Sequence, residues 1–460
     1  MLHPLLALPS EDSLPVWLAT ESTWAGIFEI LPASAQTFAR AQGFDAKAGR
    51  HCLLPNSDGG LLGVVFGLEN EGVRRVDPFL VGKLATLLPA GAYRFETPPA
   101  QPALATLAWL LGAYAFDRYR KHAARSARLV VPEGVDADEV SRIADAVNAS
   151  RDLVNTPTSD LGPDGIEAAA RTLAEKHGAS FASIVGEDLL EQNLPMIHAV
   201  GRASAVAPRL IDITWGSESA PRVTLVGKGV AFDTGGLDIK PPSSMLIMRK
   251  DMGGAAAALA LADMIMGAKL PVRLRVLIPA VENSISSNAF RPGDILSSRK
   301  GISVEIGNTD AEGRLILADA LTLADEDNPD LLVDFATLTG AARVALGPEL
   351  PPFFTDDDAL ANEIATQGLA ANDPVWRLPL WYPYQSLLDS KFADMNNTGG
   401  SMAGSVTAAL FLRRFVSSAK AYVHFDIYAW NNTARPARPE GGDVQAARLM
   451  YSLLKDRYRA

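Results

Sequence analysis

A chain of 460 residues has room for two or three domains and a large core. Its net charge of −11 disfavours non-specific binding to nucleic acid or to anionic membranes. Its one cysteine, Cys52, excludes an intrachain disulfide and a cysteine zinc cluster, and fits a reducing compartment.

The opening Met1-Leu2-His3-Pro4-Leu5-Leu6-Ala7-Leu8-Pro9 has neither the basic start nor the long apolar segment of a signal peptide. The longest mainly apolar run, Ala103 to Phe116, is too short to span a bilayer and reads as a core helix. A cytoplasmic protein with no membrane association is therefore expected. Residues 52–67 read as two strands around an Asn56-Ser57-Asp58-Gly59-Gly60 turn. A helix is expected over Asp77 to Leu88, with Pro78 in its first turn. Mixed strands and helices imply a small α/β domain over 1–133. It carries no evident chemistry, because His3, His51 and His122 are isolated.

Pro132-Glu133-Gly134 interrupts this pattern, and Asp136 to Asn155 reads as one long helix ended by Thr156-Pro157. We take 134–157 as a connector and 158–460 as a larger domain. Short apolar runs at Val223–Val226, Val272–Ile278 and Leu331–Phe335 suit strands covered on both faces. With helices over Gly253–Gly267 and Arg314–Asp325 they predict a doubly wound, mostly parallel sheet. Ligands of such sheets bind beyond the carboxyl ends of the strands.

Chemistry concentrates at those ends. After the first of these strands, residues 227–241 offer Lys228, Asp233 and Lys240 among Gly227, Gly229, Gly235 and Gly236. The glycine spacing fits neither the phosphate loop nor the dinucleotide fingerprint. Asp251 stands near the start of the Ala-rich helix, where it would serve alone as an N-cap. Asp310 and Glu312 lie two apart, so extended backbone would send both to one side. Alone they would complement a helix dipole. Together, four acids without a compensating histidine suggest a carboxylate-rich dinuclear centre for Mg²⁺, Mn²⁺ or Zn²⁺. Beside such cations, a neutral Lys228 becomes a possible ligand and a charged Lys240 a possible oxyanion stabiliser.

At these residues the sequence resembles the leucyl aminopeptidase (cytosol aminopeptidase) family of dinuclear metallopeptidases. The segments are VGKGVAFDTGGLDIKP (226–241), MRKDMGGAA (248–256), NTDAEGRLILADAL (308–321) and DFATLTGAARVALG (334–347), with weaker matches over most of the chain. The resemblance implies one metal on Asp233, Asp310 and Glu312, and a second on Lys228, Asp233, Asp251 and Glu312. It assigns Lys240 to the tetrahedral intermediate and Arg314 to a bicarbonate acting as general base. It places Met248, Asn308, Thr337, Leu338 and Gly340 against the substrate. It further implies Mn²⁺ or Zn²⁺, peptide substrates, a macro-like N-terminal domain and a homohexamer.

The family's His-Leu-Asp-Ile-Ala-Gly is replaced here by His424-Phe425-Asp426-Ile427-Tyr428-Ala429, followed by Trp430. That segment helps line the family's side-chain pocket, so the change bears on specificity; His424 itself is read as structural. Peptides beginning with Leu or Met are expected to be cleaved best. Two other readings compete: a DNA-binding regulator on the same scaffold, and a two-metal phosphatase. All seven metal and catalytic positions and the negative charge oppose the first. The second wants more arginines than Arg314 at the site.

Overall fold

The computed structural model describes residues 2–10, 12–70, 72, 76–122 and 125–459; Met1, included in the N-terminal reading, lies outside them. The chain divides into one unit of residues 1–148 with 433–440 and a second of 149–432 with 441–460.

In the first unit a six-stranded sheet has the order Leu6–Ala7, Ala127–Val130, Gly91–Phe95, Leu14–Ala19, Leu61–Gly67, His51–Pro55. All its pairs are parallel except the last. That last pair is the hairpin read from the sequence. Asn56 closes its turn by accepting the Gly60 N–H on Oδ1 at 2.7 Å, and Gly59 supplies a φ of +82°. The helix expected over Asp77 to Leu88 is shorter, a 3₁₀ turn at Leu80–Lys83 followed by Leu84–Leu87. Asp77 Oδ1 accepts the Phe79 N–H at 3.0 Å, so a side-chain turn occupies the place of a first helical turn. The apolar run at 103–116 is helical over Pro102–Gly112, with its middle fully buried. The long helix spans Ala137–Asn155, and the division between units falls inside it.

The second unit is built on a sheet ordered Trp376–Arg377, Pro352–Phe354, Tyr422–Asp426, Leu331–Ala336, Arg222–Gly227, Arg273–Asn283, Arg209–Trp215, Ser180–Val185. Its four central strands are parallel. The helix Gly253–Gly267 packs on these strands with Pro163–His177 and Ala447–Arg457. The helix Gly313–Asp325 packs on them with Pro195–Gly201 and Gly404–Arg413. Two separate sets of helices thus cover the sheet, which explains why its strands are apolar on both faces.

One irregularity positions the site. Arg222–Gly227 lies between Leu331–Ala336 and Arg273–Asn283, and the Lys228 N–H still reaches Phe335 O at 3.0 Å. The chain then resumes as Gly229–Asp233, paired with Arg273–Asn283 alone. The sheet therefore parts on one side of Lys228, at the carboxyl ends of its central strands.

Candidate metal centre

Four segments converge at this parting. Lys228 stands at the break itself, and Asp233 ends the strand that continues. The 3₁₀ turn Met248–Met252 brings Asp251, and the helix Gly313–Asp325 begins immediately after Glu312. Asp251 is not the N-cap of the next helix; Met252 holds that place, with no side-chain cap bond. Its carboxylate turns inward instead. Oδ1 accepts the Thr337 hydroxyl at 2.8 Å, and Oδ2 lies 2.7 Å from Lys228 Nζ. Lys228 Nζ is also 2.9 Å from Glu312 Oε1 and donates to Thr337 O at 3.1 Å. Gly313 makes this possible, since a Cβ there would lie 2.7 Å from Lys228 Nζ.

Lys240 lies 2.8 Å from Asp233 Oδ2 and pairs with Asp310 as well. Carboxylate oxygens of Asp233, Asp310 and Glu312 gather within 4.8 Å of one another. Lys228, Asp233, Asp251 and Glu312 are buried, whereas Asp310 is exposed and Lys240 half-buried, so the centre opens on their side.

The electrostatics follow from crowding acids in a dry place. Burial and the Asp233 carboxylate push Glu312 up to about 8 and Asp310 up to about 6. Burial alone would raise Asp251 too, but Lys228, Lys250 and Lys240 outweigh it and pull the group down to about 2. Burial alone would lower Lys228 and Lys240. For Lys228 the carboxylates of Asp251, Glu312 and Asp233 win and hold the ammonium above its ordinary range; Lys240 is raised likewise, Asp233 foremost. The chain's own lysines thus act as counter-ions, opposite to the lowered pKa that a neighbouring metal would impose on Lys228.

Asp251 Oδ2 and Glu312 Oε1 remain without a hydrogen bond of proper geometry, although both are buried and near Lys228 Nζ. The gathered oxygens of Asp233, Asp310 and Glu312 are a donor set that fits a divalent cation. Arg314 is buried, donates to Asn397 O at 2.6 Å, and leaves Nε without an acceptor. Burial draws its guanidinium down to about 10.

Several supporting residues carried no signal on their own in the sequence. Fully buried Asn283 donates to Asp233 Oδ1 at 2.8 Å and to Thr309 O at 3.1 Å. Thr309 Oγ1 donates to Gly235 O at 2.6 Å, where Gly235 takes φ +87°. Asn397 receives the Gly307 and Asn308 N–H groups and donates to Asn308 O, while Asn308 Oδ1 receives the Asp310 N–H. Asp426 receives Leu338 N, Thr339 N and the Thr339 hydroxyl, which fixes the turn bearing Thr337 and Gly340. His424 is committed to Asp334 at 2.7 Å inside the sheet.

Of the residues expected against the substrate, Met248 and Thr337 are buried, Asn308 and Leu338 half-buried, and Gly340 exposed. Thr337 also holds Asp251, a second task that the sequence did not announce.

A buried cluster of acids and lysines beyond the carboxyl ends of a mostly parallel sheet is the layout of a metal-dependent hydrolase. Residues 148–451 match the model of the cytosol aminopeptidase family, catalytic domain, and residues 4–132 that of the M17 aminopeptidase N-terminal domain. The chain belongs to this family and is a metal-dependent aminopeptidase. It is 40% identical over 379 residues, 78% of each chain, to a probable cytosol aminopeptidase of Roseiflexus castenholzii. The crystal structure of a Coxiella burnetii cytosol aminopeptidase superposes with a TM-score of 0.93 at 44% identity, covering 98% of both chains. The bottromycin maturation enzyme BotP in complex with Mn superposes with a TM-score of 0.87 at 32% identity, covering 97% of this chain and 100% of that one. Among the described residues, no helix is long and apolar enough to cross a membrane.

Proposed function

We propose that the centre holds two divalent ions, Mn²⁺ or Zn²⁺, and that the enzyme removes Leu, Met and similar apolar residues from peptide N-termini. Asp233, Asp310 and Glu312 would hold one ion, and Lys228, Asp233, Asp251 and Glu312 the other, with Asp233 and Glu312 shared. The observation that carries this reading is the gathering of Asp233, Asp310 and Glu312 carboxylate oxygens within 4.8 Å of one another, with buried Asp251 and Lys228 beside them. Bound ions would supply Lewis acidity at the scissile carbonyl, an anchor for the free α-amine and an activated water.

The chain's residues do the rest. Lys240, paired with Asp233 and Asp310 on the open side, would donate to the oxyanion that develops on the carbonyl. Arg314, with its free Nε–H and no carboxylate partner, suits a bicarbonate, a base that no nearby side chain replaces. Met248, Thr337, Leu338 and Gly340 offer a neutral wall to the first side chain, and a charged guest would be desolvated there without a partner.

The test is exhaustive chelation, followed by hydrolysis of a series of aminoacyl amides before and after Mn²⁺ or Zn²⁺ is returned. Activity is expected to vanish and then recover, with Leu and Met amides ahead in kcat/KM and Asp and Glu amides last. Full activity in metal-free protein overturns the metal centre, and an Asp or Glu preference overturns the pocket.

A cytoplasmic location and a homohexamer complete the proposal. Exposed Trp376, Trp381, Tyr382, Leu387 and Phe392 crowd into one short segment, which favours burial against further copies of the chain.

A further inference from the structure

Lys250 is a buried cation of the second unit that belongs to neither ligand set. Lys250 is only 2% exposed and ranks among the largest fully buried side chains of the protein. Its ammonium lies 5.3 Å from the ring centroid of Tyr428, and the same ring carries the Arg343 guanidinium at 4.7 Å. Arg343 is itself tied down, donating to Thr339 O at 3.0 Å. A long ammonium side chain normally escapes burial by snorkelling to water, but this one is enclosed.

Among the described residues, the carboxylate within ion-pair reach of Lys250 is Asp251, with Oδ1 at 3.6 Å. That oxygen already accepts the Thr337 hydroxyl, and the other oxygen of Asp251 faces Lys228 at 2.7 Å. Asp251 therefore answers two ammonium groups at once. The two differ in kind. Lys228 stands inside the acid cluster, where it can give up its proton and become a ligand. Lys250 pairs, among the described residues, with Asp251 alone of the cluster's acids and stands over the Tyr428 ring.

We propose that Lys250 is a built-in cationic competitor that holds down the affinity of the Lys228–Asp251 metal position. This rests on the metal-centre reading above. A positive charge beside a ligand carboxylate weakens the attraction of that carboxylate for a divalent ion, and in a dry site the effect is poorly screened. The partners of ligating carboxylates ordinarily raise or lower metal affinity in this way. The position that depends on Asp251 is the one affected; the position on Asp310, from whose carboxylate Lys250 is separated, is affected less.

The experiment is calorimetric titration of the full-length, chelator-stripped enzyme with MnCl₂ at neutral pH, in parallel with metal analysis. Lys250→Met keeps the length of the side chain and removes the charge. Lys250→Gln also removes the charge with a different shape. Both variants are expected to bind one equivalent of Mn²⁺ about tenfold more tightly than the parent while the other equivalent changes little. The gain should persist in an Asp310→Asn background and disappear in Asp251→Asn. Melting temperatures of the stripped proteins show whether each variant is folded. If both neutral variants fold and bind Mn²⁺ no more tightly, Lys250 is not a competitor and the proposal falls. If only one of them gains affinity, shape and not charge is responsible, which also overturns it. A parent enzyme that binds no Mn²⁺ at all would remove the metal-centre reading itself, a failure distinct from unchanged affinity in the variants.

Discussion

Asp233 is the residue on which most of the site turns. Its Oδ1 receives Asn283 and Gly235 N–H, and its Oδ2 meets Lys240, so its rotamer is fixed from three directions. Asp233→Ala and Glu312→Ala should cost more activity than any other single change, because each would strip a ligand from both ions. Asn283→Ala should lower Mn²⁺ affinity about 10–100-fold, as loss of a partner to a ligating group ordinarily does. Titration of the folded variant checks this; unchanged affinity would reduce Asn283 to a packing role. The pH dependence is also set at this scale. Lys228 is held protonated because Asp251, Glu312 and Asp233 outweigh its burial, yet a ligand must be unprotonated. The substrate amine, with a pKa of about 7.7–8.0, must lose its proton as well. Both requirements favour higher pH. Rate and Mn²⁺ affinity should climb together from neutral into mildly alkaline solution, and a rate maximum in the acid range would contradict both assignments.

At the scale of elements, the 3₁₀ turn Met248–Met252 and the segment after the strand Tyr422–Asp426 are fitted to each other. Ala429 adopts φ +57°, a left-handed conformation that costs roughly 1–2 kcal/mol for a residue with a Cβ. A Cβ on Gly253 would collide with the Cβ of Ala429 and come within 3.2 Å of Thr337 Cγ2. Gly253→Ala should therefore displace Thr337, loosen Asp251 and cut activity severely. Ala429→Gly should raise the melting temperature slightly, and in the double variant it should restore part of the lost activity. Steady-state kinetics of the three proteins decide the matter, and no rescue would mean that the collision is relieved elsewhere. Elements like these also show what a sequence can disclose. The strands Arg222–Gly227 and Leu331–Ala336 were legible because burial on both faces demands unbroken apolar runs. Lys228, Asp233, Asp251, Asp310 and Glu312 were legible because strand ends and helix starts are places where charge needs a reason. The parting of the sheet at Lys228 was not, since a strand that changes partners keeps its apolar pattern. Nor were Asn283 and Asp426, single polar residues whose partners lie 50 and 88 positions away in the chain.

At the scale of the whole molecule, the exposed aromatic and aliphatic residues between Trp376 and Phe392 call for cover that a single chain does not give them. Sedimentation velocity should return the mass of six chains. Replacing Trp381 and Phe392 with Ser should shift it towards smaller species, and a parent enzyme that sediments as a monomer would end the hexamer proposal. A different consequence follows from the lysines that neutralise the acids. A centre lined only with carboxylates would repel itself until ions arrived, and folding would have to wait for them. Here the ammonium groups of Lys228 and Lys240 already balance the acids, so the chelator-stripped protein is expected to fold and to keep a cooperative melting transition. On the metal-centre proposal, loading would then be a later step in a finished cavity, with Lys228 giving up its proton.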